Sequence, residues 1–213
     1  MILNKDKALK IADFLLEIKA VKLQPNNPFT WASGWNSPIY CDNRKTLSYP
    51  KIRTAIRQTF AEQIEEKFSN VEAIAGVATG GIAIGALVAE QMGLPFIYVR
   101  SSAKGHGLGN QIEGAYQEGQ RVVVIEDLIS TGGSSLQAVE ALKAAHINVL
   151  GLGAIFTYGF DIAQSNFEKA NCEFFTLSDY DHLIVQAQNT NYVSENDVSS
   201  LQAWKVNPQN WKK

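Results

Sequence analysis

The sequence is short of cysteine, of long apolar runs and of any charge excess, and each shortage removes a class of protein. Its 213 residues include only two cysteines, Cys41 and Cys172, far apart and without a C-x-x-C spacing. They are too few for a disulfide framework or a zinc site, and they suit a reducing, cytoplasmic setting. No apolar run approaches the roughly 20 residues of a membrane span, and Met1-Ile-Leu-Asn-Lys-Asp6 has no signal-peptide apolar region, so neither membrane nor export is expected. Nineteen Lys and Arg against 21 Asp and Glu give a formal net charge of −2, which lacks the basic footprint of a dedicated nucleic-acid binder. Two nucleotide signatures are missing as well. No G-x-x-x-x-G-K-[ST] stretch occurs, which disfavours a nucleotide kinase, and Gly105-His-Gly-Leu-Gly-Asn110 lacks the third glycine of a dinucleotide-binding turn.

What is present is the composition of a globular domain, 46% hydrophobic and 19% charged, with length enough for one sizeable core. Its centre is Arg121-Val-Val-Val-Ile-Glu-Asp-Leu-Ile-Ser-Thr-Gly-Gly-Ser-Ser135. Val122 to Ile125 is a β-branched run suited to a strand covered on both faces, as in a parallel sheet. The strand is expected to end there, so that Glu126 and Asp127 arrive at the carboxyl edge, where open α/β sheets bind ligands. Ser130 to Ser135 then brings hydroxyls and glycines to the start of a helix read over Leu136–Leu142, a ready pocket for phosphate. Residue by residue, a strand, a Ser/Thr turn and a capped helix would account for the same letters.

The remaining elements group around that unit. Helical spacing marks residues 6–19 and, through Ile52, Ile56, Phe60, Ile64 and Phe68, residues 49–68. Between them lies an aromatic, polar stretch, Phe29 to Arg44. Its plain reading is a β-hairpin bent at Ser33-Gly34; as a unit it looks like a hood offering stacking surface and amides to a flat heterocycle. Val71–Val77, Ala78-Thr-Gly-Gly-Ile82 and Ala83–Met92 form another strand, glycine turn and helix, the glycines serving either tight packing or a second phosphate group. After a strand at Phe96–Val99, Arg100 to Gly114 has four glycines and few core-forming residues, the composition of a mobile lid. Arg100, Lys104 and His106 can converge there on one polyanion. Strands at Asn148–Thr157 and Cys172–Thr176 and helices near Asp179–Gln188 and Ser194–Trp204 complete an α/β chain. Trp204 and Trp211 are read as packing anchors, and the last residues, Asn210 to Lys213, as poorly ordered.

The run of hydrophobics, paired acids and Ser-Thr-Gly-Gly resembles the phosphoribosyl pyrophosphate (PRPP) signature of type I phosphoribosyltransferases. With Phe29-Thr-Trp-Ala-Ser-Gly34, Ser37-Pro-Ile-Tyr-Cys-Asp-Asn-Arg44 and the Arg100/Lys104/His106 lid, the chain resembles the orotate phosphoribosyltransferases over nearly its full length. The resemblance implies the type I fold: one domain over 1–213, with a hood at about 20–47, a core at about 48–160 and C-terminal helices at about 161–213. It implies conversion of orotate and PRPP to orotidine 5′-monophosphate and pyrophosphate in UMP biosynthesis, with Mg²⁺ carried mainly by PRPP and no direct protein ligand. PRPP would meet Arg100, Lys104, His106 and the run Glu126, Asp127, Leu128, Ile129, Ser130, Thr131, Gly132, Gly133 and Ser134, with Thr79 and Gly80 on the pyrophosphate side. Lys104, Glu126 and Asp127 would carry the catalysis, while Ser130, Tyr40 and Arg44 would bind orotate. Family members are homodimers in which the lid reaches the partner's site.

Some positions depart from the better-known bacterial pattern: Ala32, Gly80, Ser101 and Tyr158 stand where relatives carry cations. These changes leave the contact to the orotate carboxylate open, with Arg44 as a replacement or as an ordinary ion-pair partner. Two other readings are a phosphoribosyltransferase for a different base and a PRPP-binding regulator. A regulator should lack the lid or add a basic nucleic-acid-binding segment, and this sequence does neither.

Overall fold

The computed structural model describes residues 1–31, 34–101 and 111–212. The chain begins with α1 (Lys5–Glu17), whose first turn is capped by the Asn4 side chain accepting from the Lys7 amide. The hood follows as two small antiparallel pairs. β1 (Val21–Leu23) pairs with β4 (Ile39–Cys41), and inside that pair β2 (Phe29–Thr30) joins β3 (Asn36–Ser37). Gly34, at φ +82°, closes the inner hairpin by donating its amide to Trp31 O at 2.8 Å. Ser33, the other residue expected at that bend, lies outside the described residues.

A 3₁₀ segment (Asn43–Ser48) leads into α2 (Pro50–Lys67), started by a proline whose fixed φ suits the first helical position. Its every-fourth-residue stripe is buried: Ile56, Phe60 and Ile64 are fully enclosed. Next come β5 (Ala73–Val77), α3 (Gly80–Met92), β6 (Phe96–Val99), β7 (Ile112–Glu113) and β8 (Arg121–Ile129). The chain ends with α4 (Gly133–Ala144), β9 (Asn148–Thr157), α5 (Asp161–Lys169), β10 (Phe174–Asp179), α6 (Tyr180–Asn189) and α7 (Glu195–Val206).

Among the described residues, six strands form one sheet in the order β10-β9-β8-β5-β6-β7, parallel throughout except at β7. Side chains of β8 alternate between two cores, as period-two geometry requires. Val123 and Ile125 pack with Ile56, Phe60, Ile84 and Val88, whereas Val122 and Val124 pack with Val139, Leu142 and Phe167 on the other face. From β5 the chain crosses to β6 on one side, and from β8 to β9 on the other. The crossover direction therefore changes between β5 and β8, and the loops at their carboxyl ends diverge to leave a crevice.

Several boundaries differ from the expectations, and three of them have a plain physical reason. β8 does not stop at Ile125 but continues through both acids to Ile129, because the ten-residue β9 offers partners that far: Glu126 pairs with Ala154 and Ile129 with Thr157. The last strand starts at Phe174, since the Cys172 amide instead closes the end of α5 on Phe167 O at 3.1 Å. The C-terminus is anchored as far as Lys212. Trp211 is buried and donates its indole N–H to Ser200 O at 3.1 Å.

Candidate active site

The crevice is a cavity of about 450 Å³ with three walls: Cys41, Asp42 and Arg44 from the hood, Ala78 to Gly80 after β5, and the β8–α4 segment from Glu126 to Ser135 without Ile129. Its floor is the start of α4. Gly132, at φ +83°, occupies the N-cap, and the Leu136 amide donates to Gly132 O at 2.9 Å. The amides of Gly133, Ser134 and Ser135 precede the first intrahelical donor, the Leu136 amide, so they form the electropositive end of the helix. A side chain at Gly132 would be strained twice, by the positive φ and by a Cβ 2.7 Å from the Phe167 ring. Thr131 is fixed from the other side by Asn166, which donates to its carbonyl at 2.9 Å.

Glu126 and Asp127 occupy different environments although adjacent. Glu126 is buried and accepts from the Asp127 amide at 2.9 Å and from the Ser135 hydroxyl at 3.1 Å. Burial, with the Asp127 carboxyl beside it, pushes the Glu126 carboxyl up to about 8. That environment favours the protonated carboxyl. Asp127 is half-buried, lines the cavity, and is held through its backbone carbonyl by Asn43 Nδ2 at 2.6 Å. Its carboxyl has room only because residue 80 is glycine: a Cβ there would lie 2.3 Å from Asp127 Cγ.

Of the residues singled out from sequence, Arg44, Thr79, Gly80, Glu126, Asp127, Leu128, Ser130, Thr131, Gly132, Gly133 and Ser134 meet in this cavity. Ile129 does not line it. Its side chain is fully buried in the core, and its carbonyl accepts from Thr157 Oγ1 at 3.0 Å and from the Tyr158 amide at 3.2 Å. Tyr40 also lies off the lining, exposed, with its ring 5.6 Å from Phe29. Arg44 pairs with Asp42 at 2.7 Å while its side chain remains 59% exposed, so the cation is within the cavity wall but already engaged. Arg100 stands at the end of β6, 3.6 Å from Glu113, outside the lining. Lys104 and His106 lie outside the described residues, as does Ala32.

Three roles went unread in the sequence. Asn43 and Ser135 hold the two acids, and Cys41 joins the wall with its thiol donating to Asn43 Oδ1 at 3.3 Å. Burial and the neighbouring Asp127 and Asp42 raise the Cys41 thiol well above its usual range, so it stays neutral. Tyr158 is buried against Trp31 and Trp204, with centroids at 5.2 and 5.8 Å, and burial likewise keeps its hydroxyl neutral. No sequence pattern marks these roles; the Ser134-Ser135 pair is the only hint, because a hydroxyl at the first turn of a helix can turn back towards its strand.

A phosphoribosyl transferase domain matches residues 45–190. The orotate phosphoribosyltransferase of Porphyromonas gingivalis is 59% identical over 201 residues, covering 94% of this chain and 96% of that protein. Among solved structures, orotate phosphoribosyltransferase from Aeropyrum pernix superposes with a TM-score of 0.74 at 26% identity, covering 86% of this chain and 99% of that one. Leishmania donovani UMP synthase superposes with a TM-score of 0.79 at 26% identity; it covers 93% of this chain, which spans 42% of that protein. The type I architecture and these similarities agree, and this chain belongs to the orotate phosphoribosyltransferase family.

Proposed function

We propose that this chain transfers the phosphoribosyl group of PRPP to orotate, giving orotidine 5′-monophosphate and pyrophosphate, a step of UMP biosynthesis. The observation that carries the reading is one cavity in which the amide-rich start of α4 faces Glu126 and Asp127 across a glycine-cleared space. A 5′-phosphate seated on Gly133 and Ser134 would bring the ribose hydroxyls towards the acids. In the reaction the anomeric carbon–oxygen bond to pyrophosphate breaks, its electron pair leaving with the oxygen, and a bond forms from the deprotonated ring nitrogen of orotate. Positive charge develops on the ribosyl ring, and carboxyl groups below it lower the barrier. A cationic neighbour would also draw Glu126 from its protonated towards its ionised form, because an opposite charge lowers a carboxyl pKa.

Mg²⁺ would enter this site as a companion of PRPP, with the half-buried Asp127 carboxyl of the cavity wall available to it; when bound it would neutralise charge on the departing pyrophosphate. Lys104, with Arg100 and His106, is proposed to close on that pyrophosphate. Arg100 lies outside its own chain's cavity lining, which supports a lid serving a partner's site in a homodimer. So does α3. Ile84 and Val88 face the core, yet Ile82 and Ala86 are also apolar and only partly covered, as on a helix awaiting a second apolar surface. Two unpaired cysteines favour a reducing cytoplasm. Among the described residues, no helix is long and apolar enough to cross a membrane.

The deciding assay is PRPP-dependent loss of orotate beside adenine, hypoxanthine and uracil, with and without Mg²⁺. Orotate should be consumed far faster than the others, and only with Mg²⁺; equal turnover of another base would sink the specificity. Mixing Lys104→Ala with Asp127→Asn tests the shared lid. Each variant alone should be strongly impaired, and verified mixed dimers should recover activity in the one site that receives neither change.

A further inference from the structure

The matched domain covers residues 45–190, so the hood before it and the C-terminal segment after it both lie outside the part shared with other phosphoribosyltransferases. These two outlying pieces pack on each other. Asn26 Nδ2 donates to Asp197 Oδ1 at 3.0 Å, Asn36 Nδ2 to Lys212 O at 2.7 Å, and Lys212 Nζ to Pro25 O at 2.5 Å. Trp31 meets the fully buried Trp204 edge-on, with centroids 5.6 Å apart. Asp197 serves twice, because it also completes the Ser194 capping box that starts α7.

The inner hood hairpin cannot hold its own position. β2 and β3 pair over two residues each and belong to no larger sheet, and isolated two-stranded ribbons are marginal in water. Its placement must therefore come from what it packs against: Tyr158 beside the Trp31 ring, and Trp204 of α7 with the residues after that helix. From the hairpin the link runs on to the cavity. Trp31 Nε1 donates to Ile39 O at 3.1 Å, and Ile39 begins β4, which continues directly into the wall residues Cys41 and Asp42.

We propose that the C-terminal segment Ser194–Lys212 is a positioning element for base recognition, holding the hood hairpin and Trp31 in register with the cavity wall. The inference rests on the proposed transferase reading. It predicts a split in kinetics that a purely structural role would not produce, because the phosphate cradle and the acids sit on β8 and α4, within the matched domain.

Two variants test it in the full-length protein. The first is Asn26→Ala with Asn36→Ala, which removes two side chains from the hood without touching the core; the second deletes residues 207–213. KM for orotate should rise about tenfold in the deletion and about threefold in the double variant, the scale of one or two lost hydrogen bonds, with KM for PRPP within about twofold. Trp31→Phe, which keeps a ring against Trp204 but loses the indole donor to Ile39 O, should fall between the parent and Trp31→Ala in orotate affinity. If the deletion does not fold, the double variant decides alone. An unchanged KM for orotate, or parallel rises in both KM values, overturns the proposal. Should the unaltered protein turn over no orotate, the transferase reading fails separately. Limited proteolysis then decides hood placement: faster cleavage within residues 24–37 of the double variant supports the brace, and an unchanged rate refutes it.

Discussion

Two strand–turn–helix units stand side by side in the sheet, β5 into α3 and β8 into α4, and their glycines do different work. In the first, Gly81 lets the helix lie directly on the neighbouring strand: a Cβ there would sit 2.3 Å from Ile125 O, a backbone atom with nowhere to go. In the second, Gly132 turns the chain through a left-handed conformation, and the residues after it present amides and hydroxyls to open space. Gly80 falls between these cases. Its missing Cβ leaves room for a movable group, the Asp127 carboxyl. A glycine turn after a parallel strand thus signals close approach, and whether the thing approached is a backbone, a side chain or a ligand depends on the neighbouring unit.

The sharpest way to break this comparison is Gly81→Ala. Its added methyl meets backbone on β8, so the fold should lose about 3 kcal/mol in denaturant unfolding. A loss below about 1 kcal/mol would show that α3 can lift off the sheet and that Gly81 is no packing requirement. Asp127→Asn should leave stability nearly unchanged, since Asn43 holds the backbone carbonyl and not the carboxyl. Turnover at saturating PRPP should nevertheless fall about a hundredfold, or about 2.7 kcal/mol of barrier, with PRPP affinity little altered. An unaltered rate would remove the carboxylate from the transition state.

Gly80→Ala probes the intermediate case. The new methyl should displace the Asp127 side chain, so turnover should fall about tenfold while the melting temperature moves by no more than about 2 °C. Melting and activity falling together would place Gly80 with Gly81 as a packing residue. The smallest expected effect concerns Glu126. Its carboxyl moves from an ordinary 4.5 to about 8 on folding. The folded state therefore holds an extra proton between those values, and stability declines as pH rises from about 5 to about 8. Glu126→Gln should flatten that decline, leaving the variant at least about 1 kcal/mol more stable than its parent at pH 8 and no more stable at pH 4. Equal slopes for both proteins would mean that the carboxyl is solvated in the folded state.

What the sequence by itself determined is what is contiguous or periodic in it. The every-fourth-residue stripe of α2, the β-branched run of β8 and the hydroxyl- and glycine-rich turn from Ser130 to Ser134 that opens α4 are local, so spacing and turn chemistry sufficed to read them. The end of β8 was misplaced because polar letters mark exposure only on average. A buried glutamate remains in a strand when a serine nine residues on satisfies it. Tertiary structure alone decided the rest. Asn43 reaches the carbonyl of Asp127 across 84 residues of sequence, and Asn36 meets Lys212 across 176. Periodicity reports that a residue faces inward, but it carries no information about which distant residue it will face. That choice is made when the sheet order sets β5 beside β8 and lays the two ends of the chain against each other.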